Sequence, residues 1–201
     1  SGLNRYDGFT CKVFRNRQGD TASLIDNYIS SLYQLPDGKM WVMTRNRPCI
    51  YDARTERFTK ATGYLRSIGL PQDSLLHSVK DQHNRYWFLF YKAGLYYYSG
   101  ETKKTVSFLP YSTKLSGTAT NRITGFAESG DGHLWLVYSN GLLQKVDTRT
   151  GKVIGHSKGL QQKNAGNNEY RLCVDRDEEL WLWVANSPKG LFHFRPKTNA
   201  L

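Results

Sequence analysis

The sequence has few cysteines and no long hydrophobic run. Its 201 residues include three cysteines, Cys11, Cys49 and Cys173. An odd number without a closely spaced pair excludes a disulfide framework and a CxxC metal knuckle. Each cysteine lies among apolar neighbours, which predicts buried, unreactive thiols. No apolar run approaches the roughly 20 residues that a membrane-spanning helix needs. Residues 1–3 lack the character of a signal peptide, which predicts that the sequence starts at a domain boundary.

Recognisable catalytic and metal-binding motifs are also missing. The sequence contains no Gly-x-Ser-x-Gly elbow, P-loop or dinucleotide-binding fingerprint. Its five histidines show no ligand spacing such as His-x-x-x-His, so we expect no metal site and no cofactor. Glycoside hydrolysis by paired carboxylates needs two acids that converge on a pocket, whereas most acids here fall in predicted turns. The sequence therefore predicts a segment without catalytic residues. The histidines are His77, His83, His133, His156 and His193.

Tryptophan, by contrast, recurs at an almost constant interval. Trp41, Trp87, Trp135 and Trp181 are 46, 48 and 46 residues apart, and each is flanked by short segments with β-type alternation. A period of this length with one anchoring tryptophan per unit predicts four-stranded propeller blades. Because the indole recurs at the same strand position, we expect it to be structural and to pack between neighbouring sheets.

The predicted fold is all-β, a β-propeller arc of about four four-stranded blades. An arc leaves unpaired strand edges, which natural propellers remove by closing the ring. We therefore expect more blades beyond this segment, and a closed four-bladed ring is the alternative. A single propeller segment would span residues 1–201, with residues 1–24 ending one blade and residues 25–60, 71–110, 119–155 and 168–201 forming the next ones.

Basic residues are concentrated at one predicted end of the blades. The chain has 28 Lys and Arg against 17 Asp and Glu, a net charge of +11. Up-and-down connectivity brings the second turn of each blade and the links between blades to the same end, where basic residues dominate and Asp73 is the only acid that we count. Loops of this kind carry binding functions, and arginine forks suit carboxylates or sulfates. The alternative is that these charges only keep the face soluble. The predicted ligand-binding residues are Arg45, Arg47, Lys92, Arg122, Tyr170, Arg171 and Lys189.

Several motifs resemble a known family. Gly2-Leu3-Asn4-Arg5-Tyr6-Asp7-Gly8, the segment Ser23 to Ile29 and the Asp-Gly-x-x-Trp pattern are similar to the regulator-propeller repeat of hybrid two-component sensor histidine kinases, by which gut Bacteroidetes sense polysaccharide fragments. The resemblance covers nearly the whole chain. The family's usual Trp-Ile-Gly-Thr stands here as Trp41-Val42-Met43-Thr44, and Gly-Thr is lost in the other units, so the motif does not assign ligand contacts.

The resemblance implies a role within a larger receptor. Members of the family combine two seven-bladed propellers and a β-sandwich in the periplasm with a transmembrane helix and cytoplasmic kinase modules. By this resemblance the segment is a periplasmic, non-catalytic sensor that recognises an oligosaccharide, acidic or neutral, or transmits its binding. Its partners would be the glycan, the other blades and domains of the receptor, and a second receptor copy in a homodimer. It would meet the membrane only through the parent chain.

Other functions stay open at this point. A propeller can be a scaffold for protein–protein contact, with its basic face docked on an acidic partner. It can also be a glycoside hydrolase or lyase, which would need convergent acids or a Tyr or His base at the channel mouth. Nucleic-acid binding is disfavoured, because the aromatic residues fall at packing positions and do not interleave with the basic loops.

Overall fold

A computed structural model describes residues 2–45, 47–110, 122–163, 166–188 and 190–201. Almost all regular structure in these residues is β-strand, and the strands form antiparallel sheets that follow chain order. None of the helices formed by these residues is long and apolar enough to cross a membrane. The chain divides into two units, residues 1–72 and residues 73–201.

The first unit contains a two-stranded and a four-stranded sheet. Alternating exposure along β3 shows why this segment forms a half-buried strand, and Gly38, with φ of +81°, closes the turn before β4. The core includes Leu24, Val42 and Phe58. The elements are β1 (Leu3–Tyr6), β2 (Cys11–Phe14), β3 (Ile29–Gln34), β4 (Met40–Thr44), β5 (Cys49–Asp52), β6 (Arg57–Lys60) and α1 (Ala61–Ser67).

The second unit contains two four-stranded sheets and one sheet with three described strands. In each sheet the strands pair in sequence order, and the first strands β7 and β15 both contact β11. The strands are β7 (Leu75–Lys80), β8 (Arg85–Phe90), β9 (Gly94–Ser99), β10 (Lys104–Pro110), β11 (Ile123–Glu128), β12 (Leu134–Tyr138), β13 (Leu143–Val146), β14 (Val153–Ser157), β15 (Tyr170–Val174), β16 (Leu180–Val184) and β17 (Leu191–Phe194), and helix α2 (Gly159–Lys163) precedes β15.

Strand β12 shows how the sheets of this unit pack on each other. Leu134 and Leu136 join the core shared with the preceding sheet, whereas Trp135 and Val137 join the core shared with the following sheet. Successive side chains of a strand point to opposite faces, so a fully apolar strand such as this one is buried on both sides. The observed sheets confirm the prediction of an all-β fold built from four-stranded blades.

The four periodic tryptophans occupy the second strand of their sheets. Trp41 and Trp87 are fully buried, Trp135 is 5% exposed, and Trp181 is partly buried with its ring stacked on that of His193. The indole of Trp87 packs edge-on against Phe108 with 5.0 Å between ring centroids. These side chains therefore belong to the interior of the sheets.

The cysteines depart from the expectation of buried thiols. Cys49 is buried, and burial raises the pKa of its thiol to about 11. Cys11 and Cys173 are exposed, so the prediction is wrong for these two. Cys173 follows Leu172, which joins the core, and strand alternation turns the cysteine to the opposite face.

Candidate functional site

A cavity of about 400 Å³ lies at one end of the sheets in the second unit. It forms where β8 and β12 end and where β11 and β15 begin, so its walls come from turns and links, which carry binding functions in many folds. The lining residues are Tyr91, Lys92, Arg122, Ser139, Asn167, Asn168 and Glu169.

Backbone hydrogen bonds hold these links together. The N–H of Ser139 donates to the carbonyl oxygen of Arg122 at 2.8 Å, and the N–H of Asn168 donates to that of Ser139 at 2.8 Å. The N–H of Ala185 donates to the carbonyl of Glu169, also at 2.8 Å. The link that precedes β15 is therefore fixed to the ends of the neighbouring strands, which preorganises the wall of the cavity.

Arg122 connects an aromatic ring to an acid across the cavity. Its guanidinium lies 4.6 Å from the centroid of the Tyr91 ring, and it forms an ion pair with the carboxylate of Glu169. Nη1 of Arg122 is buried and has no hydrogen-bond partner among the described residues. A buried donor of this kind is costly unless a ligand or water accepts from it. Within the cavity, Glu169 offsets the charge of Arg122 and Lys92 adds one further positive charge.

Amide and hydroxyl groups complete the lining. Nδ2 of Asn168 donates to the hydroxyl of Tyr170 at 3.1 Å, and the hydroxyl of Ser139 lies 3.5 Å from Oδ1 of Asn167. Amides and hydroxyls both donate and accept hydrogen bonds. Together with the ring of Tyr91, which is 43% exposed, they suit a ligand that has many hydroxyl groups and an apolar face.

The structure brings three of the predicted basic residues to this cavity. Lys92 and Arg122 line it. Arg171 lies beside it, where Nη1 donates to the carbonyl oxygen of Thr124 at 2.6 Å and lies 3.8 Å from Oε2 of Glu169. Arg171 thus connects the start of β11 to the carboxylate of Glu169.

Tyr170 corrects the sequence-based expectation. It is fully buried and belongs to the core between the last two sheets. Tyr170 and Leu172 share one face of β15, and that face packs inward, so the tyrosine supports the cavity from behind and cannot contact a ligand.

Arg45 and Arg47 belong to the first unit. Both are exposed, and the guanidinium of Arg45 lies 4.6 Å from the centroid of the Tyr28 ring. Arg47 lines a groove of about 1060 Å³ together with Lys60. Lys189 lies outside the described residues.

Sequence reasoning missed all four uncharged residues of the described lining, and it missed the acid. Tyr91, Ser139, Asn167 and Asn168 fall in the turns and links that were singled out for their charge alone. The expectation that Asp73 is the only acid at this end is wrong, because Glu169 lines the cavity. A search for aromatic and amide residues at the same link positions could have found them.

His77 gives the region near Arg171 a pH dependence. Burial, and to a smaller extent the charge of Arg171, lower the pKa of this imidazole from 6.5. The unfolded state therefore takes up a proton at a higher pH than the folded state. The stability that the neutral, buried His77 contributes is present above the pKa of the unfolded state, and it is lost as the pH falls through and below that pKa. We expect His77→Gln to flatten the fall in unfolding free energy between about pH 7 and pH 5, measured by urea denaturation. Replacing exposed His156 by glutamine should leave the slope as it is, and an unchanged slope in His77→Gln would contradict this assignment.

Part of the chain matches a known family. Residues 23–46 match the model described as two component regulator propeller. The chain contains a regulator-propeller repeat. The matched segment includes β3 and β4 with the turn between them, and Trp41 lies inside it. This confirms the family resemblance that the motifs of the opening residues and of the Asp-Gly-x-x-Trp pattern had indicated.

Solved structures of longer chains share this fold. The extracellular domain of a proposed hybrid two component system from Bacteroides thetaiotaomicron is 18% identical, with a TM-score of 0.60, over 98% of this chain and 25% of its own. That of a proposed one component system from the same organism is 21% identical, with a TM-score of 0.59, over 96% and 25%. PorZ, a surface component of the type-IX secretion system of Porphyromonas gingivalis, is 12% identical, with a TM-score of 0.57, over 99% and 30%.

These likenesses show the fold alone. The chain spans about a quarter of the length of the first two structures, and at such identities the shared fold carries no site residue across. None of the curated proteins matches the sequence significantly.

Proposed function

We propose that this chain is a non-catalytic, periplasmic sensor segment of a two-component receptor and that it recognises an oligosaccharide. The match to the regulator propeller and the likeness to extracellular domains of signalling systems support the sensor role. The observation that carries ligand recognition is the cavity of the second unit, where Tyr91, Arg122 and Glu169 meet side-chain amides. Other domains of the receptor and a second copy of it would be the protein partners.

The charges of the cavity favour a ligand that is mostly neutral. Because Glu169 pairs with Arg122, the site does not offer a cluster of free arginines to a polyanion. The hydroxyl groups of a pyranose can exchange hydrogen bonds with the amides and with the Arg122–Glu169 pair, while its apolar face packs on Tyr91. Lys92 can accommodate one acidic substituent. Signalling then requires that the ligand bind two conformations of the receptor with different affinities.

The composition of the lining argues against hydrolysis. Glycosidases that use paired carboxylates need a second acid about 5–10 Å from the first. Glu169 is the one carboxylate in the described lining, and it is already engaged by Arg122. We therefore propose binding without bond cleavage.

Replacement of Tyr91 tests this site. In titration calorimetry against a panel of neutral and acidic oligosaccharides, we expect saturable binding to the parent chain. Tyr91→Ala should weaken it about fivefold, because the aromatic contact contributes on the order of 1 kcal/mol. Tyr6→Ala is the matched control, since Tyr6 is 69% exposed in the first unit and should leave affinity unchanged.

A charge reversal tests the other predicted arginines. If Arg45→Glu combined with Arg47→Glu weakens binding of an acidic oligosaccharide while Tyr91→Ala does not, the ligand binds the groove of the first unit and the proposed cavity is rejected. If no glycan of the panel gives a saturable response, the chain acts as a protein-binding scaffold, and the proposal of glycan recognition fails.

A further inference from the structure

The last described sheet brings together three potential metal ligands that are distant in sequence. Asp175 and Glu179 lie in the turn between β15 and β16, and His193 lies on β17. Each offers one ligand atom, and these atoms lie within 4.8 Å of one another. The strand register explains why these residues are close. His193 on β17 pairs with Trp181 on β16, and Trp181 stands two residues after Glu179. The cluster is at the opposite end of β15 from the cavity described above.

The imidazole of His193 is held in place beside Glu179. Its ring stacks on that of Trp181, with 4.2 Å between centroids and 12° between planes. Nε2 is shielded from solvent and forms no hydrogen bond with a described residue, although Oε2 of Glu179 lies 2.5 Å away. A shielded imidazole nitrogen beside a carboxylate oxygen is a pair of ligand atoms that a bound cation can share.

Asp175 is also held by its neighbours. Oδ1 accepts the backbone N–H groups of Asp177 and Glu179, each at 3.0 Å, and Oδ2 accepts the indole N–H of Trp181 at 2.8 Å. These hydrogen bonds hold the carboxyl group in one orientation. Hydrogen bonds of this type orient metal ligands in proteins. Oδ2 accepts a single hydrogen bond and keeps a lone pair for an ion.

Comparison with another sheet of the same unit shows what differs here. Asp81 stands six residues before Trp87, as Asp175 stands six before Trp181, and it accepts the indole N–H in the same way at 2.7 Å. In that sheet Arg85 supplies the compensating cation, with Nε 2.6 Å from Oδ2 of Asp81. Glu179 takes the position of this arginine.

The charge that Arg85 supplies is therefore reversed in the last sheet. Arg195 lies near, with Nε 3.5 Å from Oε1 of Glu179, but its side chain is 57% exposed, and an ion pair this open to water gives little compensation. Two carboxylates and one imidazole thus face each other where the other sheet has a buried ion pair.

We propose that Asp175, Glu179 and His193 bind a divalent transition-metal ion such as Zn²⁺. One imidazole nitrogen and two carboxylate oxygens are a donor set that suits zinc, cobalt and nickel, and water would complete the coordination. The ion would link β17 to the turn between β15 and β16 and stabilise this sheet by mass action. The proposal does not depend on glycan recognition. Histidine spacing along the sequence gave no sign of it, because the ligands meet only across a hairpin.

Titration calorimetry with zinc chloride tests the site. We expect saturable binding of one ion per chain, at least tenfold weaker in Glu179→Gln and in His193→Gln. Trp181→Phe keeps an aromatic ring against His193 but removes the N–H that orients Asp175, so we expect roughly a tenfold loss there as well. His156→Gln, which alters an exposed histidine elsewhere, and the double variant Cys11→Ser, Cys173→Ser should bind as the parent chain does.

Three results would overturn the proposal: no saturable binding of zinc, binding in Glu179→Gln and His193→Gln equal to that of the parent, or loss of binding when the two cysteines are replaced. X-ray absorption of the zinc-loaded parent chain gives an answer even if the variants do not fold. Oxygen and imidazole ligands support the site, and sulfur ligands reject it.

Discussion

Replacing Trp87 by alanine is expected to lower the free energy of unfolding by about 3–5 kcal/mol. The side chain is fully buried and joins the core between the sheets β7–β10 and β11–β14. It packs against the ring of Tyr97 at 4.9 Å and that of Phe108 at 5.0 Å. Truncation would open a large cavity and would leave the buried carboxylate of Asp81 without its indole donor. Guanidinium denaturation followed by far-UV circular dichroism measures the change.

Trp183→Ala provides the matched control. Trp183 is 38% exposed and stands outside the 46- to 48-residue period of the other tryptophans, so less apolar area is lost and we expect a decrease below about 1 kcal/mol. Equal losses in the two variants would show that the periodic tryptophans are not what hold the sheets together.

Asp81→Ala is expected to destabilise the chain by a similar amount, about 3–5 kcal/mol, because it removes one partner of a buried ion pair. The Asp81 side chain is 1% exposed. Its carboxylate accepts the indole N–H of Trp87 at 2.7 Å, the Nε–H of Arg85 at 2.6 Å and two backbone N–H groups. Without it, the guanidinium of Arg85, whose side chain is 14% exposed, loses its carboxylate partner and keeps its hydrogen bonds to Thr148 and its contacts with the Trp87 and Tyr97 rings.

Asp177→Ala is the control variant, because it removes a carboxylate that is not buried. Asp177 is exposed at the tip of the corresponding turn of the last sheet, and surface changes of this kind fall within about 0.5 kcal/mol of zero. Denaturation curves of the two variants, recorded at the same pH and salt, give the comparison. A loss for Asp81→Ala no larger than that for Asp177→Ala would contradict the role of the buried carboxylate.

The sheets could be predicted from the sequence because their packing repeats. A large aromatic residue at the same register of every unit is needed to fill the space between sheets, and Trp87 and Trp135 therefore recur at a fixed interval. Apolar and polar residues alternate within strands such as β3, and turn signals such as Asp37-Gly38 separate the strands. Together these patterns indicated the strand boundaries. These signals are local, so one sequence suffices to detect them.

The site was less predictable because its parts come from separate links. Tyr91 and Glu169 are distant in sequence and meet only after three sheets have packed, and no periodicity marks them. Tyr170 was misplaced since a shift of one residue in a strand moves a side chain from one face to the other. Positive charge drew attention to Lys92 and Arg122, which line the cavity, but charge alone did not reveal the acid that pairs with Arg122.

The most direct test of the account is to map a bound oligosaccharide by NMR. Amide resonances of the isotope-labelled chain would be followed during titration with the glycan that binds most strongly in calorimetry. The account predicts that the largest shifts occur at Tyr91, Lys92, Ser139 and the segment Asn167 to Glu169. Shifts confined to other parts of the chain, or no shift with any glycan, would contradict it.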